Sequence, residues 1–196
     1  NLVSRILNKV KTVLAMTEIL IFSDFNYGCL PQSLVNEITT ICRRRKIMMV
    51  ADSQSSSQTG DISRFKDMML LTPTEREARF AVSDFNSGLV VLAEKLRTKS
   101  RAKNIILTLG SEGLLAHAAQ INNDEWMTDR LPALNTAPKD PAGAGDSLLT
   151  CSSMAMAVGA DIWQSLYLGS VAAACQVGRV GNVPLSPSDI EIELAG

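Results

Sequence analysis

Apolar and polar positions along this chain alternate between short apolar runs and amphipathic stretches. Residues 18–23, Glu-Ile-Leu-Ile-Phe-Ser, form an apolar run that ends in a polar loop, Ser23-Asp24-Phe25-Asn26-Tyr27-Gly28. Such a run predicts a buried strand. The pattern then predicts a helix over 32–45 and a strand over 46–51, Lys-Ile-Met-Met-Val-Ala, ending at Asp52. A Ser/Gln/Gly-rich loop fills 53–60, and Met68 to Leu71 reads as a short strand. Thr74 reads as the cap of a helix opening with Glu75-Arg76-Glu77, because a threonine hydroxyl satisfies a free N–H of the first turn. A helix over 86–98, a strand from Asn104 to Leu109 and the turn Gly110-Ser111-Glu112-Gly113 follow, leading into Leu114-Leu115-Ala116-His117. Two further helices are predicted near 144–157 and 162–177.

Strand–helix alternation of this kind predicts an α/β fold, a mostly parallel sheet with helices on both faces. Ligands of such sheets gather at the C-terminal strand ends. Residues 24, 52, 72–75, 108–113 and 140–146 all follow predicted strands, so they are expected to converge on one edge.

The length of 196 residues fits one domain, or a large part of one, and residues 1–196 are read as a single α/β unit. A chain 46% hydrophobic and 20% charged has ample material for a core. Its net charge of −1 exerts no global pull toward nucleic acid or a membrane surface. The one basic run, Arg43-Arg44-Arg45-Lys46, reads as the solvated C-terminal end of a helix, where cations meet the negative end of the dipole. Cysteines stand at 29, 42, 151 and 175, too far apart for a metal knuckle or a redox pair. Cys151 and Cys175 lie in apolar helical sequence and are expected to be small core residues. Reduced thiols imply a cytoplasmic setting. No apolar stretch reaches membrane-spanning length, and the first residues do not read as a signal sequence. The chain opens with Asn1 rather than Met, as a fragment or a processed product would.

The richest chemistry lies in Asp140-Pro141-Ala142-Gly143-Ala144-Gly145-Asp146-Ser147, just before the apolar run Leu148-Leu149-Thr150-Cys151. Small residues at a helix start leave backbone N–H groups exposed, which suits an anion such as phosphate. Asp146 sits inside that turn. A carboxylate beside a phosphate is unfavourable unless it has a task, such as accepting the proton of an attacking hydroxyl. It also reads as a plain first-turn carboxylate that complements the dipole.

Other readings of the glycines fail on residue type. A phosphate loop of the Gly-Lys-Ser/Thr kind has no matching triplet here. The dinucleotide fingerprint needs a third glycine where Leu148 stands. Serine-hydrolase chemistry lacks a Gly-x-Ser-x-Gly elbow, and His117, the lone histidine, is expected on a strand surface. Zinc chemistry lacks ligands.

Asp140-x-x-Gly143-Ala144-Gly145-Asp146 resembles the signature of the PfkB-type, ribokinase-like carbohydrate kinases. Thr108-Leu109-Gly110-Ser111-Glu112-Gly113 resembles their nucleotide-binding strand and turn. Leu71-Thr72-Pro73-Thr74-Glu75-Arg76-Glu77-Ala78 resembles their Asn-Pro-x-Glu segment, and Gly178-Arg179-Val180-Gly181 their last glycine-containing turn. The segments occur in the family's order. Ser23-Asp24-Phe25-Asn26-Tyr27-Gly28-Cys29-Leu30 and the stretch 172–181 are most similar to heptose-phosphate kinases, the kinase half of ADP-heptose synthases. Tyr27 replaces their lysine, and Asn182 stands where they carry Thr.

The resemblance implies roles. Asp146 would be the catalytic base toward a sugar hydroxyl attacking the γ-phosphate of ATP. Ala142, Gly143, Ala144 and Gly145 would form the anion hole. Thr108, Gly110, Ser111 and Gly113 would bind the nucleotide, with Ala173 and Gln176 beside the adenine or simply packing their helix. Glu75 would hold Mg²⁺ through water, or act only as a first-turn carboxylate; Thr72 stands where the family usually has Asn. Asp140 and Ala142, with 177–182, resemble a monovalent-cation loop suited to K⁺. Asp24 would touch the sugar or sugar phosphate. The family's N-terminal sugar-binding lid has no counterpart in residues 1–17, so phosphoryl transfer is expected to be slow. Relatives dimerise through that lid, which makes a homodimer an expectation for the longer protein. A silent nucleotide-binding module and a partner-binding domain without nucleotide stay open as alternatives.

Overall fold

The computed structural model describes residues 2–54, 60–119, 126–181 and 183–195. Most of the predicted 53–60 loop, and Asn182, lie outside the described residues. The elements run α1 (Leu2–Val13), β1 (Ile19–Asp24), α2 (Gln32–Arg45), β2 (Met48–Ser53), β3 (Leu70–Leu71), α3 (Glu75–Val82), α4 (Leu89–Ser100), β4 (Asn104–Thr108), β5 (Leu114–Ala119), β6 (Trp126–Leu131), α5 (Ala144–Ala157), α6 (Ile162–Val177) and α7 (Pro187–Ala195). Among the described residues, six strands form one sheet in the order β1-β2-β3-β4-β5-β6. The first four are mutually parallel; β5 and β6 pair antiparallel to their neighbours.

Successive strand residues point to opposite faces, and the core divides accordingly. Phe22, Met49, Ala51, Leu71, Ile105, Leu107 and Leu115 face one side, against α1 to α4. Val50, Leu70, Ile106, Leu114 and Ala116 face the other, against Leu148, Leu149 and Leu166 of α5 and α6. Helices therefore cover both faces, and the near-continuous apolar strands that the sequence shows are what this burial requires.

The helix ends follow their chemistry. Thr74 and Glu77 form a reciprocal capping box at the start of α3, and Asp161 and Gln164 form another at α6. α2 ends in Arg43, Arg44 and Arg45 with Lys46 in the left-handed region at φ 58°, so the basic run is a solvated helix end. Lys46 is thus the helix cap rather than the first residue of the strand.

The structure departs from the sequence reading in several places. α1, β6 and α7 were not expected. β6 alternates poorly in sequence (Trp-Met-Thr-Asp-Arg-Leu), and it is held by antiparallel pairing rather than by a clean apolar face. That pairing also changes the setting of His117. It is not a surface residue: it is 0% exposed, with β4 and β6 on either side and α4 above it. Its Nδ1 lies 2.7 Å from Thr128 Oγ1 and its Nε2 2.9 Å from Glu94 Oε2. Burial works against the charge of Glu94, but hydrogen bonds from Arg97, His117 and Thr98 outweigh it and hold the carboxyl at about 2. Cys151 and Cys175 are half-buried rather than core, whereas Cys42 is fully buried; all four thiols are free.

α5 and α6 pack closely through small residues. A Cβ placed on Gly169 would meet Ser152 Oγ at 2.0 Å and the Leu148 carbonyl at 2.8 Å. Gly169→Ala should therefore push the two helices apart and lower unfolding stability by about 1–3 kcal/mol. Urea titration reads the loss; an unchanged midpoint and slope would contradict this packing.

Candidate active site

Parallel strands all end on the same edge of a sheet, and the polar residues that follow them meet there. Alternation decides which face of that edge each one takes. Asp52 follows Val50 by two residues, Thr72 follows Leu70 and Thr108 follows Ile106, so all three lie on the α5 face. The loops are joined: Thr108 donates its N–H to the Pro73 carbonyl at 2.9 Å, and Thr74 bridges to Thr108.

α5 brings Asp146 to the same place. Leu148 and Leu149, one turn beyond it, are buried against the sheet. Gly143 is the N-cap in the left-handed region at φ 79°, a backbone that a side-chain-bearing residue adopts only with strain. Unlike α3 and α6, this helix has no side-chain cap. Its first i→i−4 bond is Ser147 N–H to the Gly143 carbonyl at 2.9 Å. Of the amides expected to form the anion hole, those of Ala142 and Ala144 are taken within the chain, by Asp140 Oδ1 and the Pro141 carbonyl. The N–H groups of Gly145 and Asp146 precede the first i→i−4 bond and remain open to an outside acceptor. A Cβ on Gly145 would meet nothing within 4 Å, so there is room for a ligand over the helix mouth.

The edge is strongly acidic. Asp52 and Glu77 are 7% and 8% exposed, and Asp146 is half-buried. Burial first, then repulsion from Glu77 and, less strongly, Asp146, pushes the Asp52 carboxyl up to about 7, opposed by a hydrogen bond from the Ser53 backbone. The Thr72 hydroxyl is buried and forms no well-shaped hydrogen bond. Burial also raises the pKa of Asp146. Glu77 Oε2 accepts from the N–H and hydroxyl of Thr74, 2.8 Å each. Such a set of carboxylates suits a hard cation; among the described residues, no three acidic, thiol or imidazole side chains close directly on one metal position.

The other expected site residues divide. Glu75 turns outward, 42% exposed at its side chain, and pairs with Arg79 at 2.7 Å. It lines a groove of ≈ 560 Å³ with Thr74, Arg76, Phe80, Phe85, Thr108 and Gly110. Ser111 is exposed within the helical turn Gly110–Glu112. Gly113 lies at φ 89°, and a Cβ there would meet the Leu131 carbonyl at 2.1 Å, so only glycine fits this turn. Ala173 packs against the α5-side core. Gln176 is buried, its amide directed at the carbonyls of Ala142 and Gly181. Asp140 accepts the N–H groups of Ala142 and Gly181.

Asp24 does not join Asp146. It shares the face of Phe22, the α1–α4 side, where it accepts Arg64 at 2.6 Å and the N–H of Asn26 at 3.0 Å. The sequence reading put residue 52 on this edge, as a charged residue closing an apolar strand, but gave it no role. It left out Glu77, whose legible signal was its place as the N3 partner of Thr74.

A family model described as pfkB family carbohydrate kinase matches residues 4–189, and the chain belongs to that family. It is similar to the bifunctional protein HldE of Campylobacter fetus, 28% identical over 190 residues, covering 95% of this chain and 39% of that protein. HldE of Geobacter sulfurreducens is 29% identical over 178 residues, 88% of this chain and 34% of that protein. The chain thus spans little more than a third of the length of these relatives. Among solved structures, phosphofructokinase-2 from Escherichia coli in complex with potassium superposes with a TM-score of 0.77 at 17% identity, over 96% of this chain and 61% of that one. Ribokinase from Arabidopsis thaliana complexed with ribose and ATP gives 0.76 at 17% identity, over 95% and 58%. The shared architecture is the ribokinase-like fold, and these structures are longer than the present chain.

The acidic edge has a pH signature. The folded chain holds the Asp52 proton up to about pH 7, whereas an unfolded Asp releases it near its ordinary 3.8. Between these values stability falls as pH rises, and above them it levels off. Asp52→Asn removes that decline, so its advantage over the parent grows from pH 4 to pH 8, to roughly 2–4 kcal/mol. Thermal melts across this range measure it; a constant difference at all pH values would contradict the repulsion.

Proposed function

We propose that this chain carries the nucleotide-binding and proton-abstracting machinery of an ATP-dependent phosphotransferase acting on a hydroxyl of a sugar or sugar phosphate. The observation that carries this reading is the uncapped N-terminus of α5, with Asp146 in its first turn beside Asp52 and Glu77. The open amides of Gly145 and Asp146 would hold the transferring phosphoryl group, and Gly143 sets the backbone that aims them. Asp146 would accept the hydroxyl proton as the oxygen attacks phosphorus. Its raised pKa makes it a better proton acceptor than an ordinary carboxylate. Thr108, Gly110, Ser111 and Gly113 would bind the rest of the nucleotide along the β4 turn. Mg²⁺, when bound with ATP, supplies positive charge that offsets the phosphates and the acidic edge. Glu77 would hold its water shell; Glu75 is paired to Arg79 on the outer side, which speaks against the same role for it.

A heptose phosphate is the acceptor we favour. The Ser23–Leu30 loop and the 172–181 segment support it, and so do the HldE relatives. One observation favours nucleotide binding without transfer: Asp24, the carboxylate expected to meet the sugar, is closed in an ion pair with Arg64 on the other face.

Asp146→Asn separates the two readings. With ATP, Mg²⁺ and a panel of sugar phosphates, it should lose at least about 100-fold in transfer rate, while calorimetry shows nucleotide affinity little changed. A variant that transfers as fast as the parent would remove Asp146 from the reaction. A parent that binds nucleotide and transfers to no acceptor would favour the silent module.

A further inference from the structure

The loop in front of α5 and the turn after α6 are tied together by polar groups of the protein itself. Asp140 Oδ1 accepts the N–H of Ala142 at 2.9 Å, and Oδ2 accepts the N–H of Gly181 at 3.0 Å. The Val177 carbonyl accepts the N–H groups of Lys139 and Asp140, at 2.7 Å and 3.2 Å. Gln176, 1% exposed, directs Nε2 at two carbonyls, those of Ala142 and Gly181, at 3.4 Å each.

Carbonyl and carboxylate oxygens such as these are what a hard cation takes as ligands. Here the position bridging the Ala142 and Gly181 carbonyls is held by a donor nitrogen, Gln176 Nε2. An N–H group pointed at both oxygens excludes a cation between them, so that position does not fit potassium. We propose that the Gln176 amide stands in for a monovalent cation, pinning residues 140–143 to the 178–181 turn so that the mouth of α5 is organised without bound potassium.

A primary amide has two N–H donors and can serve two acceptors. At 3.4 Å each bond is long. Burial of the amide compensates: Gln176 is enclosed, so its N–H groups have no water to turn to if these carbonyls are lost. The loop so held sets the direction of the first α5 amides and of Asp146. In this respect the inference rests on the reading of α5 as the anion site, but its main test does not.

Thermal unfolding in potassium, sodium and choline chloride at equal ionic strength reads the loop with no substrate present. The parent should melt within about 1 °C in all three, well under the shift expected of a 1 kcal/mol stabilisation. Gln176→Glu keeps the size, removes both donors and points a carboxylate at two carbonyl oxygens. Its Tm should fall in choline and recover on adding potassium or sodium. A potassium-specific rise in the parent Tm would overturn the proposal, as would a Gln176→Glu variant that melts like the parent and ignores cations. Should that variant fail to fold in every salt, Gln176→Met replaces it, with a lower Tm in all three salts expected and an unchanged Tm overturning the proposal. Titration with Mg·ATP separates this from the function reading. Equal affinity with and without potassium supports the pin, and potassium-dependent affinity overturns it. No binding in any salt would end the anion-site reading and leave the melts to decide the cation question.

Discussion

Negative charge gathers where the parallel strands end, and the rest of the site depends on how that charge is held. Asp52 and Glu77 are buried, Asp146 is half-buried, and Asp52 is driven up to about 7 by desolvation and by its two neighbours. A protein tolerates such a cluster only where something opposes it. The positive end of α5, left without a side-chain cap, provides part of that opposition. The magnesium nucleotide we propose would answer both halves of the arrangement, with amides for the phosphate and carboxylates for the hydrated metal.

The core gives this edge its precision. α5 is anchored to the sheet by Leu148 and Leu149 directly after its polar first turn. Gly169 lets α6 approach so closely that Ser152 and the Leu148 carbonyl occupy the space a methyl group would need. α6 in turn carries Gln176 to the loop that precedes α5. A displacement of either helix would be passed to the α5 mouth through close-packed contacts, which have little slack.

The same alternation that builds the two-faced core also separates the two carboxylate groups. Asp24 and Asp52 both close apolar runs on neighbouring strands, one register step apart: Asp52 pairs with Ser23 and Asp24 with Ser53. Their faces differ, because Asp24 falls in step with Phe22 and Asp52 with Val50. Asp24 consequently meets Arg64 and the α1–α4 side, and Asp52 meets Asp146.

Local signals in the sequence determined much of this protein. The apolar runs specified β1, β2 and β4, the Thr74 and Glu77 pair specified the start of α3, and the basic run marked the end of α2. The Gly143–Asp146 stretch marked the helix mouth, because small residues and an acid at that spacing act within a single turn. Tertiary structure decided what depends on neighbours distant in sequence. β6 exists through its pairing with β5, and that pairing buries His117. Whether Glu75 or Glu77 turns inward follows from the rotation of α3 on the sheet. The direction of Gln176 follows from where α6 ends relative to the 140–143 loop. One-dimensional periodicity places a side chain on a face, but the groups waiting there are supplied by other elements, and only the folded chain brings them within reach.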